Sequence, residues 1–185
     1  MRGLAVVRLG IVAALFAGAP ILAFAGEAED RARAKTLSEE ADRLLRKGKV
    51  TDALARYAAA QTASPSPKTL LAIARAHKRL KQPALAANTY AELLRTAPEA
   101  DPAAREAKRE LARMDGTLAR LKFVGPPGFS VRVDGAPVGR LPLEPVRVVP
   151  GQRDVTFESS DTFPVTKRVF AGRKLQVTVE VEVGR

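Results

Sequence analysis

The sequence predicts an α+β protein, a short array of antiparallel helices followed by a small antiparallel β-sandwich. Two observations carry that expectation. From Glu27 to about Asp115 the chain is rich in Ala, Leu, Arg, Lys and Glu, and it repeats itself at a fixed step from Ala41 to Ala74 to Ala107. From Leu118 onward it breaks into short runs of alternating apolar and polar residues, separated by Pro and Gly pairs. The organisation therefore reads as a leader over 1–25, helical repeats over 26–117 and a β domain over 118–185. A chain of 185 residues supports one ordinary domain or two small ones.

The leader has the parts of an export signal. Arg2 and Arg8 make a basic start, Leu9 to Phe24 is an uncharged run, and Ala23-Phe24-Ala25 is a small-x-small cleavage pattern before Gly26. The run contains Pro20 and falls short of the roughly 20 residues that span a bilayer, so cleavage is expected and an uncleaved membrane anchor is the alternative. No membrane span is expected after cleavage. The formal charge of +11 becomes +9 once Arg2 and Arg8 are removed with the leader. The chain has no cysteine, which excludes disulfides, thiolate metal sites, a cysteine nucleophile and a lipid-modified cysteine.

In the helical region, Ala41, Gly48, Val50, Ala53, Tyr57, Ala60 and Pro65 recur at that constant step as Ala74, Lys81, Pro83, Ala86, Tyr90, Leu93 and Pro98. Small residues allow two helices to cross closely, a tyrosine fills the gap to the next helix, and a proline ends the second helix. One further step reaches Ala107, in a helix that Asp101-Pro102 starts and Asp115-Gly116 ends. The expected units are 34–65, 66–98 and a capping helix over 101–115.

This pattern of alanines, an aromatic and a closing proline resembles the tetratricopeptide repeat. Gly48 to Tyr57 matches it well, whereas Lys81 to Tyr90 lacks the glycine. The resemblance implies a concave groove lined by the first helix of each repeat. Its lining positions are Lys35, Ser38, Asp42, Leu45 and Arg46 in the first unit and Lys68, Leu71, Arg75, Lys78 and Arg79 in the second. Six of these ten are basic and one is acidic, which suits an acidic peptide segment with Leu45 and Leu71 as apolar contacts. The asparagines with which some members of that family clamp a peptide carboxylate are missing. The plainer alternative is a solvated charged face with its leucines in the core.

In the β region, a first strand is expected from Leu118 to Val124, and Pro126-Pro127-Gly128 breaks the ladder. Ser130 to Val133 alternates, and Asp134-Gly135 supplies the positive-φ residues of a tight hairpin toward Val138. Val146 to Val149 is a further strand, closed by Pro150-Gly151. Val155 and Phe157, then Val165, Val169 and Phe170, mark two more, and Leu175, Val177, Val179, Val181 and Val183 alternate to the end. The ordered set Pro126-Pro127-Gly128-Phe129, Val131 to Gly135, Val138-Gly139, Pro142-Leu143 and Pro150-Gly151 resembles the PEGA domain, an extracytoplasmic β module of bacteria and archaea. Pro127 stands for the Glu and Phe129 for the Ala of its name-giving motif.

Catalytic constellations are not legible. His77 is the only histidine and falls at the repeat position of Leu44, which points to a structural role. Glu180 and Glu182 alternate with valines as a solvated strand face does, and Ser159, Ser160 and Asp161 lack a base. Low aromatic content and an export signal argue against a nucleic-acid partner. The expectation is a non-catalytic interaction or scaffold protein of the bacterial cell envelope, without cofactor or metal, whose partner is an envelope protein. The alternative is binding of an envelope polyanion, glycan or anionic lipid, through Arg132, Arg140, Arg147, Arg153, Lys167, Arg168, Arg173 and Lys174.

Overall fold

The computed structural model describes residues 19–182, so the basic start of the leader, Leu9 to Gly18 and Val183 lie outside the described residues. Five helices come first: α1 (Ala19–Arg46), α2 (Val50–Ala63), α3 (Pro67–Arg79), α4 (Pro83–Thr96) and α5 (Pro102–Asp115). Seven strands follow: β1 (Ala119–Val124), β2 (Ser130–Val133), β3 (Ala136–Arg140), β4 (Val146–Val148), β5 (Gly151–Glu158), β6 (Val165–Ala171) and β7 (Gln176–Glu180).

The helix starts are set by local chemistry. Ser66 caps α3 by accepting from the Thr69 N–H, with Pro67 in the first turn, and Asp101 caps α5 by accepting from the Ala103 N–H, with Pro102 behind it. The α1–α2 and α3–α4 turns share one backbone device. Gly48 at φ 74° and Lys81 at φ 56°, at equivalent repeat positions, both take the left-handed conformation. Lysine is strained there and glycine is not. Ala41, Ala74 and Ala107 are each fully buried, as are Ala53 and Ala86, so the small residues stand where helices cross. Tyr57 and Tyr90, at 3% and 0% exposure, fill the gaps beside them.

The β domain is two sheets face to face, ordered β4-β1-β7 and β3-β2-β5-β6. Leu121, Phe123, Val131, Val155, Phe157 and Val179 fill the space between them, and the Phe123 and Phe157 rings meet edge to face at 6.3 Å. Asp134 and Gly135 carry positive φ and close the β2–β3 hairpin as expected. One expectation is corrected: β1 and β7 pair in parallel, Leu121 opposite Val177 and Phe123 opposite Val179. Alternation fixes which face a side chain takes, not strand direction. The whole chain between Val124 and Gln176 serves as the crossover that a parallel pair requires.

Helices and sandwich are clasped together. The Asn88 side chain on α4 donates to the Arg147 carbonyl at 3.0 Å and accepts from the Arg147 N–H at 2.8 Å, pairing with the open edge of β4 as a neighbouring strand would. Arg147 Nε also donates to Asp115 Oδ1 at 2.7 Å, and Arg120 reaches Asp115 Oδ2 at 2.5 Å. Burial opposes ionisation of Asp115, but the hydrogen bonds and charges of Arg147 and Arg120 outweigh it and hold the carboxyl below the usual range. Leu118, just before β1, belongs to the core of α3, α4 and α5.

Candidate functional site

The first helices of the repeating units, α1 and α3, face each other across a cavity of about 370 Å³. Lys35, Ser38 and Asp42 project into it from α1, one helical turn apart, and Lys68 projects from the first turn of α3. Arg31, Tyr57, Ser66 and Thr69 share the wall with a second carboxylate, Glu39. Neither Lys35 nor Lys68 makes an ion pair among the described residues, whereas Asp42 accepts a hydrogen bond from the Tyr57 hydroxyl. Burial first, and that carboxylate second, push the Tyr57 phenol far above its ordinary value. Next to this cavity, Asp42, Leu45, Arg46 and Arg79 line a second recess of about 300 Å³.

The remaining expected groove residues are placed differently. Leu71 is 8% exposed and belongs to the core of α3, α4 and α5, so it is not a groove contact; Leu45 is half-buried against the Ala41, Ala53 and Tyr57 cluster. Arg75 and Lys78 are occupied from within the chain. Arg75 donates to Glu106 from Nε at 2.9 Å and from Nη2 at 2.5 Å, and Lys78 Nζ donates to Glu110 Oε2 at 2.5 Å. The Lys78 hydrogen bond holds the Glu110 carboxyl below the usual carboxylate range, and the Glu106 hydrogen bond raises Arg75 further. The acidic pair on α5 was missed from the sequence. Its signal was Glu106 and Glu110 at i and i+4 on the third helix of the repeating series, facing α3.

The two tyrosines divide accordingly. Asp42 receives the Tyr57 hydroxyl, but the residue at the equivalent position of the next unit is Arg75, which is turned toward Glu106. The Tyr90 hydroxyl is left fully buried with no hydrogen-bond partner. Burial, followed by the charges of Glu110 and Glu106, pushes its phenol up to about 12.

Elsewhere, His77 lies part-exposed at the end of α3, its Nδ1 2.8 Å from Gln82 Oε1 across the α3–α4 turn. Glu180 and Glu182 are exposed. Among the described residues no three His, Asp or Glu side chains are grouped to hold a metal, and no helix is long and apolar enough to cross a membrane. Of the eight cations expected to serve a polyanion, Arg132 pairs with Glu158, Arg147 with Asp115, Arg153 with Asp134 and Arg168 with Asp154. Arg140, Lys167, Arg173 and Lys174 pair with no carboxylate among the described residues. No family model matches the chain, nor does any curated protein or solved structure.

Proposed function

We propose that this chain is a non-catalytic interaction protein of the cell envelope that holds an acidic segment of a protein partner between α1 and α3. The observation that carries the reading is the 370 Å³ cavity walled by Lys35 and Lys68, two cations with no carboxylate of their own among the described residues. A carboxylate entering there meets two ammonium groups and the hydroxyls of Ser38 and Ser66, while Arg46 and Arg79 continue the positive track into the next recess. Asp42 rejects a second carboxylate beside Tyr57, which spaces the acidic positions of the ligand. Export and removal of residues 1–25 belong to the same reading, as do the tetratricopeptide-like and PEGA-like assignments of the two halves.

Site-specific photocrosslinking tests it. A photoreactive residue in place of Lys35 is expected to crosslink one partner segment rich in Asp or Glu, and Lys68→Glu is expected to abolish the product. The same probe in place of Thr51 on α2, which is exposed away from the cavity, is the control. Crosslinks of equal yield from both positions, or a product indifferent to Lys68→Glu, would remove the reading.

A further inference from the structure

The cations that close the α3–α5 interface continue the row that Lys68 begins. Lys68 and Arg75 stand two turns apart on α3 and Lys78 one turn beyond, about 15 Å from first to last. Arg75 and Lys78 are held by Glu106 and Glu110 of α5, in the way that the side chains of an acidic ligand would hold them. Both oxygens of each carboxylate already accept from a cation, Glu106 from Arg75 and Glu110 from Lys78 and Arg113. The Tyr90 hydroxyl is the counterpart of the one that Tyr57 gives to Asp42. It is buried without an acceptor, and the charges facing it are those of Glu110, Glu106 and Arg75. A buried donor left unpaired disfavours this closed arrangement.

We propose that Glu106 and Glu110 are an internal stand-in for the acidic segment, a latch that the partner's carboxylates displace, after which one of those carboxylates accepts from Arg75 and from the Tyr90 hydroxyl together. The latch builds on the groove reading and regulates that same site. Magnitudes favour the exchange. The two ion pairs given up are half-exposed and contribute a factor of about five or less each. A buried hydroxyl that gains a carboxylate acceptor contributes roughly tenfold or more. In the preceding unit that bond is made within the chain, because Asp42 stands at the position of Arg75. Here a carboxylate from outside the α3–α5 pair completes it. The helix itself stays in place, since Ala104, Ala107 and Leu111 remain in the core it shares with α3 and α4, and only the surface side chains swing.

Fluorescence anisotropy of a labelled hexaglutamate peptide, blocked at both termini and titrated with the full chain, tests the latch. Extended, the peptide spans about 20 Å, enough to run from Lys68 to Lys78. Glu106→Gln with Glu110→Gln is expected to tighten binding roughly fivefold. Adding Tyr90→Phe to that double variant is expected to weaken it at least roughly tenfold, with the unfolding midpoint unchanged or raised. Loss of affinity in a chain that is no less stable separates a ligand contact from a structural role. Affinity unmoved by the glutamine substitutions, affinity indifferent to Tyr90→Phe as for a hydroxyl satisfied by water, or no binding by the opened variant would each overturn the proposal. Lys68→Glu keeps the two readings apart. Binding that Lys68→Glu abolishes but the substitutions at 90, 106 and 110 leave unchanged removes the latch and keeps the groove. Binding that follows those three positions and ignores Lys68→Glu upholds the exchange at Arg75 and Tyr90 and removes the groove.

Discussion

The α1–α3 interface and the α3–α5 interface are built on the same repeating scaffold, yet one is open and the other is closed by ion pairs. The difference follows from a few charges. Where α1 presents Asp42, α3 presents Arg75, and α5 answers with Glu106 and Glu110. In the first interface the carboxylate is turned to Tyr57 and leaves Lys35 and Lys68 unpaired; in the second the arginine and lysine are consumed and Tyr90 is orphaned. Repetition of the core therefore does not imply repetition of the surface, because buried alanines and tyrosines constrain packing while the facing charges are free to vary.

The sharpest way to break the comparison is at the two hydroxyls. Tyr57→Phe removes a hydrogen bond to a carboxylate and is expected to cost about 2 kcal/mol in denaturant unfolding, whereas Tyr90→Phe removes an unpartnered buried hydroxyl and is expected to be neutral or stabilising by about 1 kcal/mol. Equal losses would mean that Tyr90 has a partner after all. Next come the left-handed turn positions. Gly48→Ala is expected to lower stability by about 1 kcal/mol and Lys81→Gly to raise it by a few tenths, read from the shift of the unfolding midpoint.

The smallest stability effect belongs to the ion pairs themselves. Arg75 and Lys78 are about half exposed, so Glu106→Gln and Glu110→Gln are each expected to cost less than about 1 kcal/mol. Their consequence for binding is larger, since the freed cations lengthen the positive track, and an acidic peptide should crosslink at Lys35 more strongly in the double variant. The pH dependence has a definite sign. Glu110 is held below its ordinary value of 4.5, so its contribution is fully present above that pH and is lost as the pH falls below it. Thermal melting in acid should accordingly show a step that Glu110→Gln diminishes.

The fold was legible wherever local chemistry decided it. Asp134-Gly135 and Pro150-Gly151 marked their turns, Asp101-Pro102 marked the start of α5, and the spacing of alanines and tyrosines placed the crossings that are now seen buried. What escaped was decided by partners distant in sequence. Leu71 has the spacing of a groove residue, but the helices packed against it cover it. Arg75 and Lys78 looked free because their counter-charges lie 31 and 32 residues away. Val165, Val169 and Phe170 marked a strand, but alternation could not report that Val165 on the inner face and Phe170 on the outer one both stay exposed.

Tyr57 and Tyr90 are the only tyrosines, and tryptophan is absent, so the intrinsic ultraviolet signal has two sources, one at each helical interface. Each phenol samples one interface, Tyr57 bonded to Asp42 and Tyr90 buried without a partner, so the unmodified chain carries one optical reporter in each half of its array.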